Sequence, residues 1–331
     1  MKPIHEMKLI QIEVTNACHL QCANCTRFVG HHRKPFYMDL EMVERALDSL
    51  EGFPGHIGLM GGEPALHPRF PEILELYRKK IPQKERRELW TAGYKWEEYR
   101  EIIHETFLEQ YIAYNDHSDP DEGTHQPLLI AIDEVVDDRE LMWKVIDNCW
   151  IQLRWSASIT PKGAFFCEVA AAQDHLFDGP GGWPIERGWW KKNPADFRDQ
   201  VRRYCCRCSA SLPMPVPNNH EPYDFISPGN AKRLEASRSP KFLKSRYRIA
   251  DMETIRAYAA TLDGMPGPVR GSFLSHPEWT PWNYRKQVWN APGEGYLTAA
   301  EVRSLQTGVM SRDEAIRLRD SRMQTRTPAG R

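Results

Sequence analysis

The chain has 331 residues, 41% of them hydrophobic, and a formal net charge of −1. That is enough apolar sequence for one large domain with a smaller appendage, and too little net charge to create a global field for nucleic acid or an anionic membrane. No apolar run reaches the length of about 18 residues that a membrane-crossing helix needs, and the opening MKPIHEMKLIQIEV lacks the apolar core of a secretion signal, so the expected setting is the cytoplasm.

The first 150 residues alternate in type. KLIQIEV (8–14) reads as a strand, MDLEMVERALDSL (38–50) as a helix capped by Asp39, and HIGLM (56–60) as a buried strand ending at Gly61–Gly62. FPEILELYRKK (70–80) is helical with Pro71 in its first turn, RRELWTAG (86–93) a strand and KWEEYREIIHETF (95–107) a helix. EQYIAYNDH (109–117) and LLIAIDEVV (128–136) read as strands, DRELMWKVIDNCW (138–150) as a helix, and LRWSASI (153–159) as a strand. Strands alternating with helices imply βαβ units, a parallel sheet and an α/β fold, here a barrel or part of one. The pattern then breaks. ITPKGAFFCEVA (159–170) reads as a hairpin turning at Lys162–Gly163, residues 178–194 are loop-rich, and YCCRCS (204–209) leads into a polar, Arg-rich tail with short helices expected at 251–262 and 299–319. The implied division is a core over 1–158, an extension over 159–212, and a polar segment of unknown role over 213–331.

Cytoplasmic cysteines are normally reduced, so clusters of them point to metal binding or catalysis. Cys18, Cys22 and Cys25 follow directly on the first strand, in a βα loop, where α/β folds build their sites. Thiolates at this spacing suit an iron–sulfur cluster, or zinc with His19, His31 or His32 as a fourth ligand. Gly61-Gly62-Glu63-Pro64 lies one βαβ step further on, so the two loops should be neighbours on one rim. Its glycines allow close backbone approach.

A CxxxCxxC loop after strand one, preceded by Thr15–Asn16, with GGEP after strand two, resembles the radical S-adenosylmethionine (radical SAM) superfamily. The resemblance implies a partial (β/α)6 TIM-like barrel. It implies a 4Fe–4S cluster on Cys18, Cys22 and Cys25, with the fourth iron taking the amino and carboxylate groups of S-adenosylmethionine. One electron then breaks the sulfonium bond, and a 5′-deoxyadenosyl radical removes a substrate hydrogen. Gly61, Gly62, Glu63 and Pro64 would meet the methionine amino group. An electron donor such as flavodoxin or ferredoxin is implied. One position departs from the pattern: many members carry an aromatic before the third cysteine, where this chain has Asn24.

Other site residues are candidates by position. Asn115 and His117 close the fourth strand and would reach ribose hydroxyls or substrate, the alternative being solvated loop residues. Ile130 and Ile132 would pack on adenine or in the core. Asp133, Glu134 and Arg154 are candidate acid–base or anchoring groups. Cys167 after a hairpin, followed by Cys205 and Cys208 in CxxC, resembles the auxiliary-cluster extension of SPASM and twitch relatives. Those relatives usually supply another cysteine between hairpin and CxxC, and none lies between 168 and 204 here. Either Cys205 and Cys206 both ligate, or one iron stays open to substrate or to His175. Cys149, in DNCWIQL, reads as a buried inert thiol. Trp183, Trp189, Trp190, Lys191 and Lys192 would line a substrate pocket or form a packed lid. Three functions follow: hydrogen abstraction from a small polar substrate such as a sugar, cyclitol or nucleoside; maturation of a peptide; or a non-catalytic zinc-binding module.

Overall fold

A computed structural model describes residues 1–115, 125–154, 156–212, 217, 219–259, 314 and 317–318, but not the side chain of Arg154. The predicted site residue His117 and nearly all of the helix expected at 299–319 lie outside these. Five parallel strands and one antiparallel strand make the central sheet. They are β1 (Leu9–Thr15), β2 (His56–Gly61), β3 (Arg87–Thr91), β4 (Ile112–Tyr114), β5 (Ser156–Thr160) and β6 (Gly163–Phe165), in the spatial order β4-β3-β2-β1-β5-β6.

Helices α1 (Leu40–Ser49), α2 (Phe70–Lys80) and α3 (Trp96–Thr106) connect the first four strands. The first begins where the sequence places it: the Asp39 side chain accepts from the backbone N–H of Met42, satisfying an otherwise orphaned donor. Their buried faces meet one face of the sheet, where register sets Ile10 beside Ile57, Ile12 beside Leu59, and Leu59 beside Leu89. The opposite face is different. Register places Gln11 between Gly58 and Ser158, and Gly58 beside Glu88. Gln11, Glu13, Glu88, Ser156 and Ser158 are all buried there. A buried parallel sheet normally reads as near-continuous hydrophobic runs, so this polar inner face is a departure that packing alone does not require.

Two differences from the sequence-based expectation concern topology. LLIAIDEVV is no strand of the central sheet: Leu129 makes an isolated parallel bridge to Ile226, and Ile132–Glu134 turn into a 3-10 helix. A continuous apolar run records burial, not strand pairing. The expected sixth strand, beginning at 153, starts instead at Ser156, because α5 (Trp150–Arg154) takes up the preceding residues after α4 (Arg139–Asp147), and it docks beside β1. Among the described residues the six-strand parallel succession is therefore absent; the sheet is mostly parallel and closes with the β5–β6 hairpin.

The hairpin turns at Lys162–Gly163 as expected, with Gly163 at φ +119°, a conformation other residues rarely adopt. It ends sooner than expected: Cys167 caps α6 (Glu168–Leu176), and α7 (Arg198–Tyr204) leads into the second cysteine group. Trp189 and Trp190 do not border the cysteine loops. Trp189 donates to Ser49, Trp190 packs on Phe53, and the backbone N–H of Ile4 donates to Lys192, so this segment closes the sheet end where β1 begins. Beyond 213, β7 (Asp224–Ile226), α8 (Pro228–Ala236), α9 (Pro240–Leu243), β8 (Tyr247–Ile249) and α10 (Met252–Ala259) follow, with β7 and β8 paired in parallel.

Candidate functional site

The first cysteine loop leaves β1 and returns to it. Thr15 Oγ1 donates to Phe36 O at 2.6 Å, Asn16 Oδ1 accepts from Phe36 N at 2.8 Å, and Met38 N donates to Val14 O at 2.8 Å. Residues 17–35 thus form a loop pinned at both ends. The GGEP turn lies directly against its entry: Gly62 N donates to Thr15 O at 2.8 Å and Glu63 N to Ala17 O at 2.7 Å. A Cβ on Gly61 would stand 2.1 Å from Thr15 O, and one on Gly62 2.3 Å from Ala17 O. The two glycines therefore admit the backbone of the cysteine loop. The Glu63 carboxylate is wholly buried and accepts from Ala65 N, Thr91 Oγ1 and Ala92 N, tying the ends of β2 and β3 together. Burial outweighs these donors and pushes its carboxyl up to about 7.

The downstream segment grips the loop from the far side. Asp224 accepts from Asn24 N and from Lys241 Nζ at 2.7 Å, and its second oxygen lies 2.6 Å from His31 Nε2. Lys241 Nζ also donates to Cys22 O at 3.1 Å, and Ala23 N donates to Asn219 O at 2.7 Å. Asn24 adopts φ +51°, which asparagine tolerates better than an aromatic, and its Oδ1 accepts from Phe225 N. The departure from the family pattern thus serves contact with β7.

These contacts occupy both ring nitrogens of one of the three histidines, His31. His31 is buried, with Nδ1 2.7 Å from Ser239 Oγ and Nε2 on Asp224. His32 Nε2 lies 2.9 Å from Arg27 O, and His19 packs against the Tyr94 ring. Among the described residues no three His, Cys, Asp or Glu side chains are grouped to hold a single metal ion. A cluster offers each thiolate a separate iron, so its ligands need not meet at one point. Burial pushes the Cys18 and Cys22 thiols up to about 12, so either would have to give up a proton to ligate a metal. Three thiols beside a glycine turn, with both nitrogens of His31 engaged elsewhere, fit a cluster that leaves one iron for another ligand.

Residues 12–113 match the family model of the radical SAM superfamily. The chain carries a radical SAM domain. That domain implies an enzyme, a 4Fe–4S cluster and S-adenosylmethionine. No curated protein matches the chain. The crystal structure of BtrN in complex with AdoMet and 2-DOIA overlays with a TM-score of 0.38 at 16% identity, covering 61% of this chain and 88% of that one. The selenomethionine form of BtrN in an open conformation gives 0.38 and 16%, covering 63% and 90%. Both likenesses are distant.

The polar sheet face meets the first cysteine loop through Arg27. Arg27, two residues after Cys25, reaches Glu168 at 2.8 Å and Glu13 at 3.6 Å, and Ser158 donates to Glu13 at 2.7 Å. Arg27 is buried, yet the two carboxylates outweigh burial and hold its guanidinium above its ordinary value. Among the described residues neither amide atom of Gln11 nor Nη1 of Arg27 has a hydrogen-bond partner. Sequence reasoning missed this group; its signal was the charged and amide residues at alternate positions of QIEV, inside a strand that is buried throughout.

Other candidates separate. Asn115 directly follows β4, its N–H donating to Thr91 O. Ile130 and Ile132 are fully buried in the core. Glu134 accepts from Ser227 Oγ and Gly229 N, so it holds the start of α8, and Asp133 beside it is exposed. His175 stacks edge-on with His32 and Phe36 at the far end of α6 from Cys167, roughly 12 Å away along the helix. Cys167, Cys205 and Cys208 line one buried cavity, and Cys206 lines a different pocket with Arg139 and Arg202.

Proposed function

We propose that this enzyme removes a hydrogen atom from a small polar substrate, of sugar, cyclitol or nucleoside type, in the space enclosed by the polar sheet face. When bound at Cys18, Cys22 and Cys25, the cluster and S-adenosylmethionine supply one-electron cleavage of the cofactor and the hydrogen abstraction that follows. The chain's own part is to hold and orient. The GGEP turn sets the cofactor side of the loop. Gln11, Glu13, Arg27, Ser158 and Glu168 offer donors and acceptors to hydroxyl or amino groups, and burial excludes water. The observation that carries this reading is the unfilled hydrogen-bonding capacity of Gln11 and Arg27: buried polar atoms cost energy unless paired, and a polar substrate would pair them. A second cleft runs between His32, Arg33, Lys34, Arg207 and Arg233. Its positive charge favours a substrate or product bearing a carboxylate or phosphate.

The second cysteine group would hold an auxiliary 4Fe–4S cluster, and a small flavoprotein or ferredoxin would deliver electrons. Both belong to this reading, as does a cytoplasmic setting. The test is isotopic. Candidate sugars, cyclitols and nucleosides deuterated at each carbon are incubated with reduced enzyme and S-adenosylmethionine, and 5′-deoxyadenosine is analysed by mass spectrometry. Deuterium transfer from one of them is expected. Transfer only from peptides would replace the proposal with peptide maturation.

A further inference from the structure

Lys241 stands in α9, 219 residues from Cys22 and outside the 12–113 family match, yet its side chain ends on the first cysteine loop. It is buried, and its Nζ donates to Cys22 O at 3.1 Å. Its backbone N–H donates to Gly30 O at 3.0 Å, so both ends of the residue are fixed on the loop. Among the described residues its one ion pair is with Asp224, at 2.7 Å. The same Asp224 oxygen accepts from Asn24 N, so the carboxylate touches the loop between Cys22 and Cys25. The two charges do not cancel at the thiol: Lys241 acts on Cys22 more strongly, favouring its thiolate, and Asp224 opposes it. Arg27, the other buried cation on this loop, differs. It faces two carboxylates, Glu13 and Glu168, so its charge is more than offset. Lys241 is therefore the cation whose charge is left over beside the three cysteines.

We propose that Lys241 sets the reduction potential of the cluster at Cys18, Cys22 and Cys25, raising it through its buried charge beside Cys22, and that Asp224 limits the rise. This rests on the radical SAM reading of those cysteines and deepens it. Cluster potentials follow net charge, hydrogen bonding and exposure around the sulfurs. An electron arriving at three thiolates adds negative charge, and a cation held close in a poorly screened interior lowers the cost of that addition. Lys241 is a positioning residue in this scheme: it touches the backbone of a ligand and no reacting atom. Residues 219–259 thus do more than hold the loop in place. They set how readily the site accepts the electron that cofactor cleavage consumes.

The test uses the full chain, reconstituted anaerobically with iron and sulfide, titrated with reductant and followed by electron paramagnetic resonance (EPR). The first site is read from the part of the signal that S-adenosylmethionine alters. Lys241→Met should make its midpoint potential more negative, because Asp224 is left uncompensated. Asp224→Asn should shift it the opposite way. Where a single variant loses its iron, the double variant decides, since it leaves neither charge buried alone. Lys241→Met with Asp224→Asn should keep its iron and show a potential more negative than the native chain, because the stronger of the two charges at Cys22 is gone. A double variant with the native potential, a double variant without iron, or single variants that shift in the same direction would reduce the pair to a brace and overturn the proposal. A native chain whose EPR signal S-adenosylmethionine leaves unchanged would overturn the cofactor reading itself.

Discussion

Single residues decide how the cysteine loop is held, and Asp224 carries most of that work. Burial alone pushes its carboxyl up, but the His31 hydrogen bond and the Lys241 ammonium outweigh burial and hold it below the ordinary carboxylate range. As pH falls, the unfolded chain protonates this group first. Its contribution to stability is therefore complete above about pH 4 and lost as pH drops through the lower folded value. Replacing Asp224 with Asn should cost about 3–5 kcal/mol at neutral pH, because Lys241 is left buried without its partner. Urea unfolding of the apoprotein at pH 7 and pH 3 checks this, the variant showing a shallower acid loss. Gly62→Ala belongs to the same scale. Its Cβ meets Ala17 O at 2.3 Å, so the loop must move. Iron bound by the reconstituted variant should fall to the level of Cys18→Ala. The glycines and the three cysteines were legible in sequence because they form short local patterns. Asp224, Lys241 and Ser239 were not, since each meets the loop across some 200 residues and carries no local signature.

Between elements, the bond that matters joins the first cysteine loop to α6. Arg27 follows Cys25 by two residues and Glu168 follows Cys167 by one, so their 2.8 Å ion pair spans the neighbourhoods of both cysteine groups. Both side chains are buried, which makes the pair costly to break from one side. Arg27→Met should destabilise by about 3–5 kcal/mol. Arg27→Met and Glu168→Gln together should cost less than the sum of the singles by about 1–3 kcal/mol, as expected of contacting residues. A double-mutant cycle by denaturant unfolding measures the difference. Elements with two local signals were read closely: α1 from its periodicity and the Asp39 cap, and α2 from its periodicity and a first-turn proline. Two other segments were misread. The run from Leu128 to Ile132 is apolar because it is buried, and its bridge to Ile226 depends on a segment almost a hundred residues away. The start of EVAAAQDHL was absorbed into the hairpin reading, which ran to 170, and the rest was given no element, because eight of its nine residues are buried, leaving no polar face to mark helical period.

Across the whole molecule, residues 219–259 brace the first cysteine loop. They were legible only as a polar tail with a short helix expected at 251–262, where α10 lies. They supply Asp224, Ser239 and Lys241 to the loop and pair β7 with β8, and Ser227 N–H donates to Leu129 O. A chain ending at Leu212 should lose the iron of the first site and exchange backbone hydrogens of residues 18–31 far faster than the full chain, as seen by mass spectrometry.

The central claim is that three cysteines and the GGEP turn hold a cluster that cleaves S-adenosylmethionine. The direct measurement is release of 5′-deoxyadenosine by the full chain, reconstituted anaerobically and supplied with dithionite and S-adenosylmethionine. The account predicts release that Cys18→Ala abolishes and that Cys167→Ala or Cys208→Ala spares. No release from protein that binds zinc in place of iron would contradict it.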